Sequence, residues 1–178
     1  NLIDQAVRQA RDEGLEIRFE VGDAELLPYA DNSFDQVYSV IGAMFAPRPD
    51  RVAAELLRVC RPGGEIIMAN WTPEGFVGKF FQTVGRHLPP PESMPSPLMW
   101  GNETHVRARF GKGAAGLNAE KQLFEFRYPY PPTEVVDFYR EYFGPVRRAF
   151  AALDEQGRAA LHADLTELWQ IHNLRTKE

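Results

Sequence analysis

Apolar residues recur at helical intervals from the start of the chain: Leu2, Ile3, Ala6, Val7 and Ala10 share one face, and Gly14 follows as a stop. The pattern predicts an amphipathic helix. The period then changes. In LEIRFEV, Leu15, Ile17, Phe19 and Val21 alternate with Glu16, Arg18 and Glu20, which predicts a strand with one wet face at the edge of a sheet. FDQVYSVI, residues 34–41, places Val37, Tyr38, Val40 and Ile41 with little alternation, the pattern of a strand covered on both faces near the middle of a sheet. Pro49-Asp50 open a helix, RVAAELLRVC, with Val52, Ala53, Leu56, Leu57 and Cys60 in one stripe. Arg61-Pro62-Gly63-Gly64 reads as the turn that ends it, and EIIMANW predicts another strand. Strand, helix, strand with short joints is a βαβ unit, with parallel strands and a right-handed crossover. The fold class is α/β.

The organisation shifts after Trp71. FVGKFFQTVGRHL predicts a helix, GRHLPPPESMPSPLMWG an extended proline-rich loop or lid, and ETHVRARF a short helix. LNAEKQLFEFRY ends in strand-like alternation of Leu123-Phe124, Phe126 and Tyr128. Pro131-Pro132-Thr133 open the helix EVVDFYREYF, and Asp154 to Trp169 form a last helix with Leu161, Leu165 and Leu168 on one side.

At 178 residues, 44% of them hydrophobic, the chain suits one ordinary domain with a sizeable core. A net charge of −5 lacks the basic footprint that a phosphate backbone requires, so nucleic acid is not the expected partner. No apolar run approaches the roughly 20 residues that span a bilayer, and no membrane association is expected. The single cysteine, Cys60, reads as a buried small hydrophobe and fits a reducing, cytoplasmic setting.

Gly111-Lys-Gly113-Ala-Ala-Gly116 spells G-x-G-x-x-G, but a helix precedes it and a strand-like run follows. A phosphate cradle requires the reverse order, so no nucleotide loop is assigned there. The four histidines show no metal-ligand spacing, and no metal is expected. A short-chain dehydrogenase Tyr-Lys pair and a G-x-S-x-G elbow are both missing. What remains is VGDAELLPYADNSFD, where Asp23 stands at the carboxyl end of a predicted strand, the place where open α/β sheets bind ligands. A carboxylate there accepts from an exocyclic amine, and the backbone N–H of Ala24 or Glu25 donates to a ring nitrogen. The plainer reading makes Asp23 a turn residue stabilised by local hydrogen bonds.

GDAELLPYADNSFDQVYSV followed by AAELLRVCRPGGEIIMANW closely resembles the class I S-adenosylmethionine-dependent methyltransferases, in particular the small-molecule type related to the quinone C-methyltransferases. The resemblance implies a Rossmann-like, mostly parallel sheet flanked by helices and S-adenosylmethionine as cofactor. It implies that Asp23 contacts the adenine amine, that Ala24 and Glu25 border the ring, and that residues from Ser39 to Met44 flank cofactor and substrate. Leu26-Leu27-Pro28 would pass under the cofactor. The glycine-rich loop and the ribose-binding acid of that family find no counterpart within the chain, nor does its closing antiparallel strand. The expectation is a single partial domain over 1–178, truncated at the N-terminus and at the C-terminus and lacking its first strands. Residues 1–75 would form the cofactor-side core, 76–116 a helical and loop substrate lid, and 117–178 a C-terminal strand and helices.

The expected activity of the intact protein is methyl transfer to a small, partly apolar metabolite, this fragment alone being inactive. Two alternatives stand beside it: a non-catalytic methyltransferase-like binding or assembly module, and another nucleotide-binding α/β protein. Phe45, Trp71 and Trp100 lie at strand ends or in the proline-rich segment, where they would line an apolar pocket. No catalytic residue is assigned. An alcohol acceptor would want a general base, and His87 and His105 are the imidazoles near the expected lid.

Overall fold

The computed structural model describes residues 2–174. The chain divides into two compact units, residues 1–68 and 69–178.

The first unit opens with helix α1 (Leu2–Asp12), closed by Gly14 in the left-handed region at φ 68°. Strand β1 (Phe34–Val40), helix α2 (Pro49–Val59) and strand β2 (Cys60–Ala69) follow. β1 and β2 are hydrogen-bonded neighbours joined by the α2 crossover, the expected parallel βαβ unit. Helix α2 turns Val52, Ala53, Leu56 and Val59 inward, all buried; of the expected stripe Leu57 is only half-buried, and Cys60 is buried but opens β2 instead of ending the helix. Proline in its first turn costs no hydrogen bond, because that N–H has no partner within a helix.

Three strand expectations require correction. Residues 15–21 carry the right alternation but form no strand, and Leu15, Ile17 and Val21 stand exposed. A strand exists only as one side of a ladder, and no described segment pairs with this one. Residues 123–128 fail to form a strand for the same reason. β1, expected to be covered on both faces, leaves Tyr38 and Val40 exposed, because the described sheet has only two strands.

Arg61 to Gly64, expected as a turn, already belong to β2. A Cβ on Gly64 would stand 2.6 Å from the Asp35 carbonyl oxygen, so glycine is required where the two strands approach. Gln36 bonds Glu65 at 2.9 Å across the same pair of strands, and Arg61 pairs with Asp35.

The second unit is helical. Helices α3 (Phe76–His87), α4 (Glu103–Phe110), α5 (Pro132–Tyr142), α6 (Gly144–Ala152) and α7 (Glu155–Ile171) follow in order, with a 3-10 turn at Pro97–Gly101. Asp154 caps α7 by accepting from Gly157 N at 2.8 Å. Phe80 and Val84 of α3, Val136 of α5, Val146, Ala149 and Phe150 of α6, and Leu161 and Leu165 of α7 form one buried cluster. Helix α6 escaped the sequence reading because its Gly-Pro opening looks like a loop. His87 joins α3 to α7 through Asp164 at 2.8 Å.

Gly64→Ala is expected to destabilise the chain by about 1–3 kcal/mol in urea unfolding. Gly116→Ala is expected to leave the midpoint nearly unchanged, since nothing lies within 4 Å of the Cβ it would add.

Candidate functional site

The site is built on the irregular segment between Gly22 and Asn32 and on the carboxyl end of β1. Asp23 starts a tight turn: its carbonyl accepts from Leu26 N at 3.0 Å, and its Oδ1 accepts from Glu25 N at 2.9 Å. This is the local Asp turn that competes with regular structure. Asp23 and Ala24 are exposed. Glu25 faces the other way and is only 6% exposed. Its Oε1 accepts from Arg48 N at 2.7 Å and its Oε2 pairs with the Arg48 guanidinium. The Glu25 side chain is therefore committed to the scaffold.

The rest of the segment is held by α2. Arg58 donates from Nη1 to the Tyr29 carbonyl at 2.7 Å and to Asp31 Oδ1 at 2.9 Å, and from Nη2 to the Leu27 carbonyl at 3.0 Å. Glu55 accepts from Arg58 Nε at 2.7 Å, and its Oε2 accepts from Leu27 N at 2.7 Å. These hydrogen bonds from Arg58, and then that from Leu27 N, hold the Glu55 carboxyl below its usual range against the opposing effect of burial. The Arg58 carbonyl also receives Asn32 N at 2.9 Å, where Asn32 sits at φ 60°.

β1 ends in strain. Ile41 adopts φ 57°, a conformation that a β-branched residue reaches only at a cost of about 1–3 kcal/mol. The turn is pinned by Ser39, whose Oγ accepts from Ala43 N at 3.1 Å. A 3-10 turn, Ala43–Phe45, follows with Met44 buried and Phe45 exposed.

A cleft of about 400 Å³ opens within this unit. Its walls include Ala24, Leu27, Val37, Ser39, Gly42 and Ala43. Of the expected cofactor residues, Ala24 and Ser39 line it directly, Asp23 stands one residue from its rim, and Met44 is buried within the 3-10 turn that follows β1 and is not part of the lining. Of the expected substrate residues, Phe45 lies in this unit and Trp71 and Trp100 in the second. Trp100 is 3% exposed, packed on Phe110 with Arg109 over its ring at 4.8 Å. Trp71 packs on Phe126, and a Cβ on Gly101 would stand 2.1 Å from the Trp71 carbonyl, so the two tryptophan segments meet through backbone. Among the described residues, no cluster of three His, Cys, Asp or Glu is placed to hold a metal, and no helix is long and apolar enough to cross a membrane.

Two outcomes follow from this geometry. Because the folded pKa of Glu55 is depressed, the clamp stabilises fully above the ordinary value near 4.5 and loses that stabilisation as pH falls through the lower, folded value. Glu55→Gln is expected to flatten this acid dependence in unfolding titrations, and Arg58→Ala to lower the urea midpoint at pH 7, because it strips three acceptors of the segment of their donor. Ile41→Gly is expected to raise the thermal midpoint or leave it unchanged despite the lost side chain, whereas an ordinary β-branched residue so truncated lowers it.

A family model described as a methyltransferase domain matches residues 1–68. The chain is 35% identical over 164 residues to an uncharacterized protein of Mycobacterium tuberculosis, covering 92% of this chain and 60% of that protein. It is 43% identical over 61 residues to a demethylmenaquinone methyltransferase of Renibacterium salmoninarum, which is 34% of this chain and 26% of that enzyme. Among solved structures, the YcgJ protein of Bacillus subtilis superposes with a TM-score of 0.54 at 21% identity, over 88% of this chain and 71% of that one, and shares the fold. The chain thus spans about 60% of the length of the mycobacterial relative. Residues 1–68, the part of the chain that the methyltransferase-domain model matches, contain the cleft just described, and the fold shared with YcgJ is α/β.

Proposed function

We propose that the intact protein transfers a methyl group from S-adenosylmethionine to a small, partly apolar metabolite, and that this chain supplies the adenine side of the cofactor site and part of the acceptor pocket. The observation that carries the reading is the cleft at the carboxyl end of β1, with Ala24 and Ser39 in its wall and a strained Ile41 at its edge. Its donor set fits an adenine. Asp23 uses Oδ1 for the turn to Glu25 N, which leaves Oδ2 to accept from an exocyclic amine. Ala24 N points no hydrogen bond at another backbone group among the described residues, and would donate to a ring nitrogen. Leu27 and Val37 supply apolar wall for the ring faces.

S-adenosylmethionine, when bound, supplies an electrophilic methyl group on a positively charged sulfur. The transfer neutralises that charge, so most of what the protein must do is hold the acceptor in line and exclude water. The turn from Ser39 to Met44 would flank the transfer point, with Ser39 Oγ fixing its backbone and Phe45 presenting an apolar ring. The acceptor's class rests on the apolar side chains of the cleft and on the net charge of −5.

The protein at the full length of its curated relatives is expected to gain roughly 2.7 kcal/mol of stability from S-adenosylhomocysteine at about 100 times its dissociation constant, read as a thermal shift. Asp23→Ala should reduce that shift, while the 178-residue chain alone should show little. No shift for the longer protein at saturating ligand would end this reading, and methylation of nucleic acid in place of small molecules would overturn the acceptor class.

A further inference from the structure

Residues 117–131 form a strap in the second unit that has no regular secondary structure. Among the described residues, positions 117–130 make no backbone hydrogen bond to other backbone groups. Side chains hold the strap instead. Phe126 packs on Trp71 and Phe76 with ring centroids 5.6 and 6.4 Å apart. Tyr128 lies edge-on to Trp169 at 5.5 Å, and its hydroxyl bonds that of Tyr139 at 2.9 Å. The ion pair between Lys121 and Glu74 is long, 3.8 Å, and exposed at both ends. Two further apolar residues of the strap, Leu123 and Phe124, stand in solvent.

Beneath the strap lies an orphan. Trp169 sits 4.4 Å from Phe76 and 5.7 Å from Tyr139, and its Nε1–H is buried with no hydrogen-bond partner. A buried indole N–H ordinarily finds an acceptor, and one left without a partner within a cluster of rings calls for an explanation. Lifting Phe126 and Tyr128 would also release the Tyr139 hydroxyl. Burial, and then its bond to Tyr128, pushes that phenol well above the usual range, so it remains a neutral donor throughout the physiological range. The result would be a slot walled by Trp71, Phe76 and Trp169, with two neutral donors; the titratable ring beside it, His172, stands edge-on to Phe76 at 5.5 Å with its nitrogens already engaged by Lys79 Nζ at 3.1 Å and the Leu168 carbonyl at 2.9 Å. The two donors are neutral and the His172 ring is already bonded on both nitrogens, so an ion buried against Trp169 would have no counter-charge committed to it, and the matching ligand is neutral.

We propose that this cluster is a binding site for a planar, uncharged aromatic ring bearing a carbonyl oxygen. Trp169 Nε1–H donates to that oxygen, and Phe126 and Tyr128 are the chain's own occupants of the slot, which the ring displaces. The strap can yield because ring contacts hold it and no ladder has to break. Methyl transfer is not needed for the proposal, which rests on the second unit alone.

The test uses the full chain labelled with ¹⁵N and follows the indole resonances of its three tryptophans, assigned by single Trp→Phe variants. The probes are 2-acetylnaphthalene and 2-ethylnaphthalene, alike in shape and differing in the carbonyl. The Trp169 indole proton is expected to move downfield with the ketone and not with the hydrocarbon. Trp169→Phe should weaken the ketone roughly fivefold and leave the hydrocarbon unchanged, as loss of one net hydrogen bond requires. Phe126→Ala should tighten both probes, because it removes a competitor. The proposal is overturned if the ketone at its solubility limit leaves the Trp169 resonance in place in both the wild-type chain and Phe126→Ala. It is overturned equally if both probes shift that resonance alike. Neither result bears on S-adenosylhomocysteine binding, so the two readings fail separately.

Discussion

The first unit depends on the grip of α2 on the segment that precedes β1. Residues 27–31 expose polar backbone that no helix or ladder satisfies, and such groups are costly unless each finds a partner. Arg58 answers with a planar fork that reaches two carbonyls and Asp31, while Glu55 orients the fork and receives Leu27 N. A lysine in that place would offer one point charge without the geometry. The clamp matters more here because the described sheet has only two strands, and a pair of strands alone is marginal in water. The segment can thus be irregular where a ligand needs exposed backbone and still be fixed in place.

The second unit is stabilised in a different way. Its helices close around a continuous apolar cluster in which Val136, Val146, Ala149, Leu161 and Leu165 are fully buried. Aromatic rings then extend that core outward toward the strap. Few polar groups stand among them, the Tyr128–Tyr139 hydroxyl pair and, at the edge, His172 with Lys79. The first unit keeps its charges close to its irregular backbone, whereas the second keeps charge at its rim, as in the His87–Asp164 pair joining two helices. That pair gives His87 a structural occupation, which sequence alone does not reveal.

The helices were legible because their periodicity and their stops are local. The α2 stripe, the proline openings of α2 and α5, and the Asp154 cap all read directly from neighbouring residues. Strand formation was not legible in the same way. Residues 15–21 and 123–128 have strand patterns as good as that of β1, but only β1 and β2 find each other. Whether an alternating run becomes a strand depends on a partner distant in sequence. The same distinction runs through the site. Asp23 and Ala24 were identifiable because a motif surrounds them. The strain at Ile41, the union of Glu25 with Arg48 and the reach of Arg58 to Tyr29 join residues by three-dimensional position, and no spacing announces them.

In the proposed reading, Asp23, Ala24 and Glu25 would serve scaffold and ligand together. An acid on an irregular segment with both oxygens free would swing, and a swinging carboxylate loses orientation when it must meet one edge of a flat base. Committing Oδ1 to Glu25 N fixes the plane of the carboxylate and leaves one oxygen for an incoming donor. The same bond turns the chain so that Ala24 reaches the cleft wall while Glu25 is driven inward to Arg48. The turn reading and the ligand reading of Asp23 are therefore not rivals. The turn is the physical means by which a carboxylate at this position can be held ready for an adenine amine, and a residue that could not make the turn could not present the oxygen.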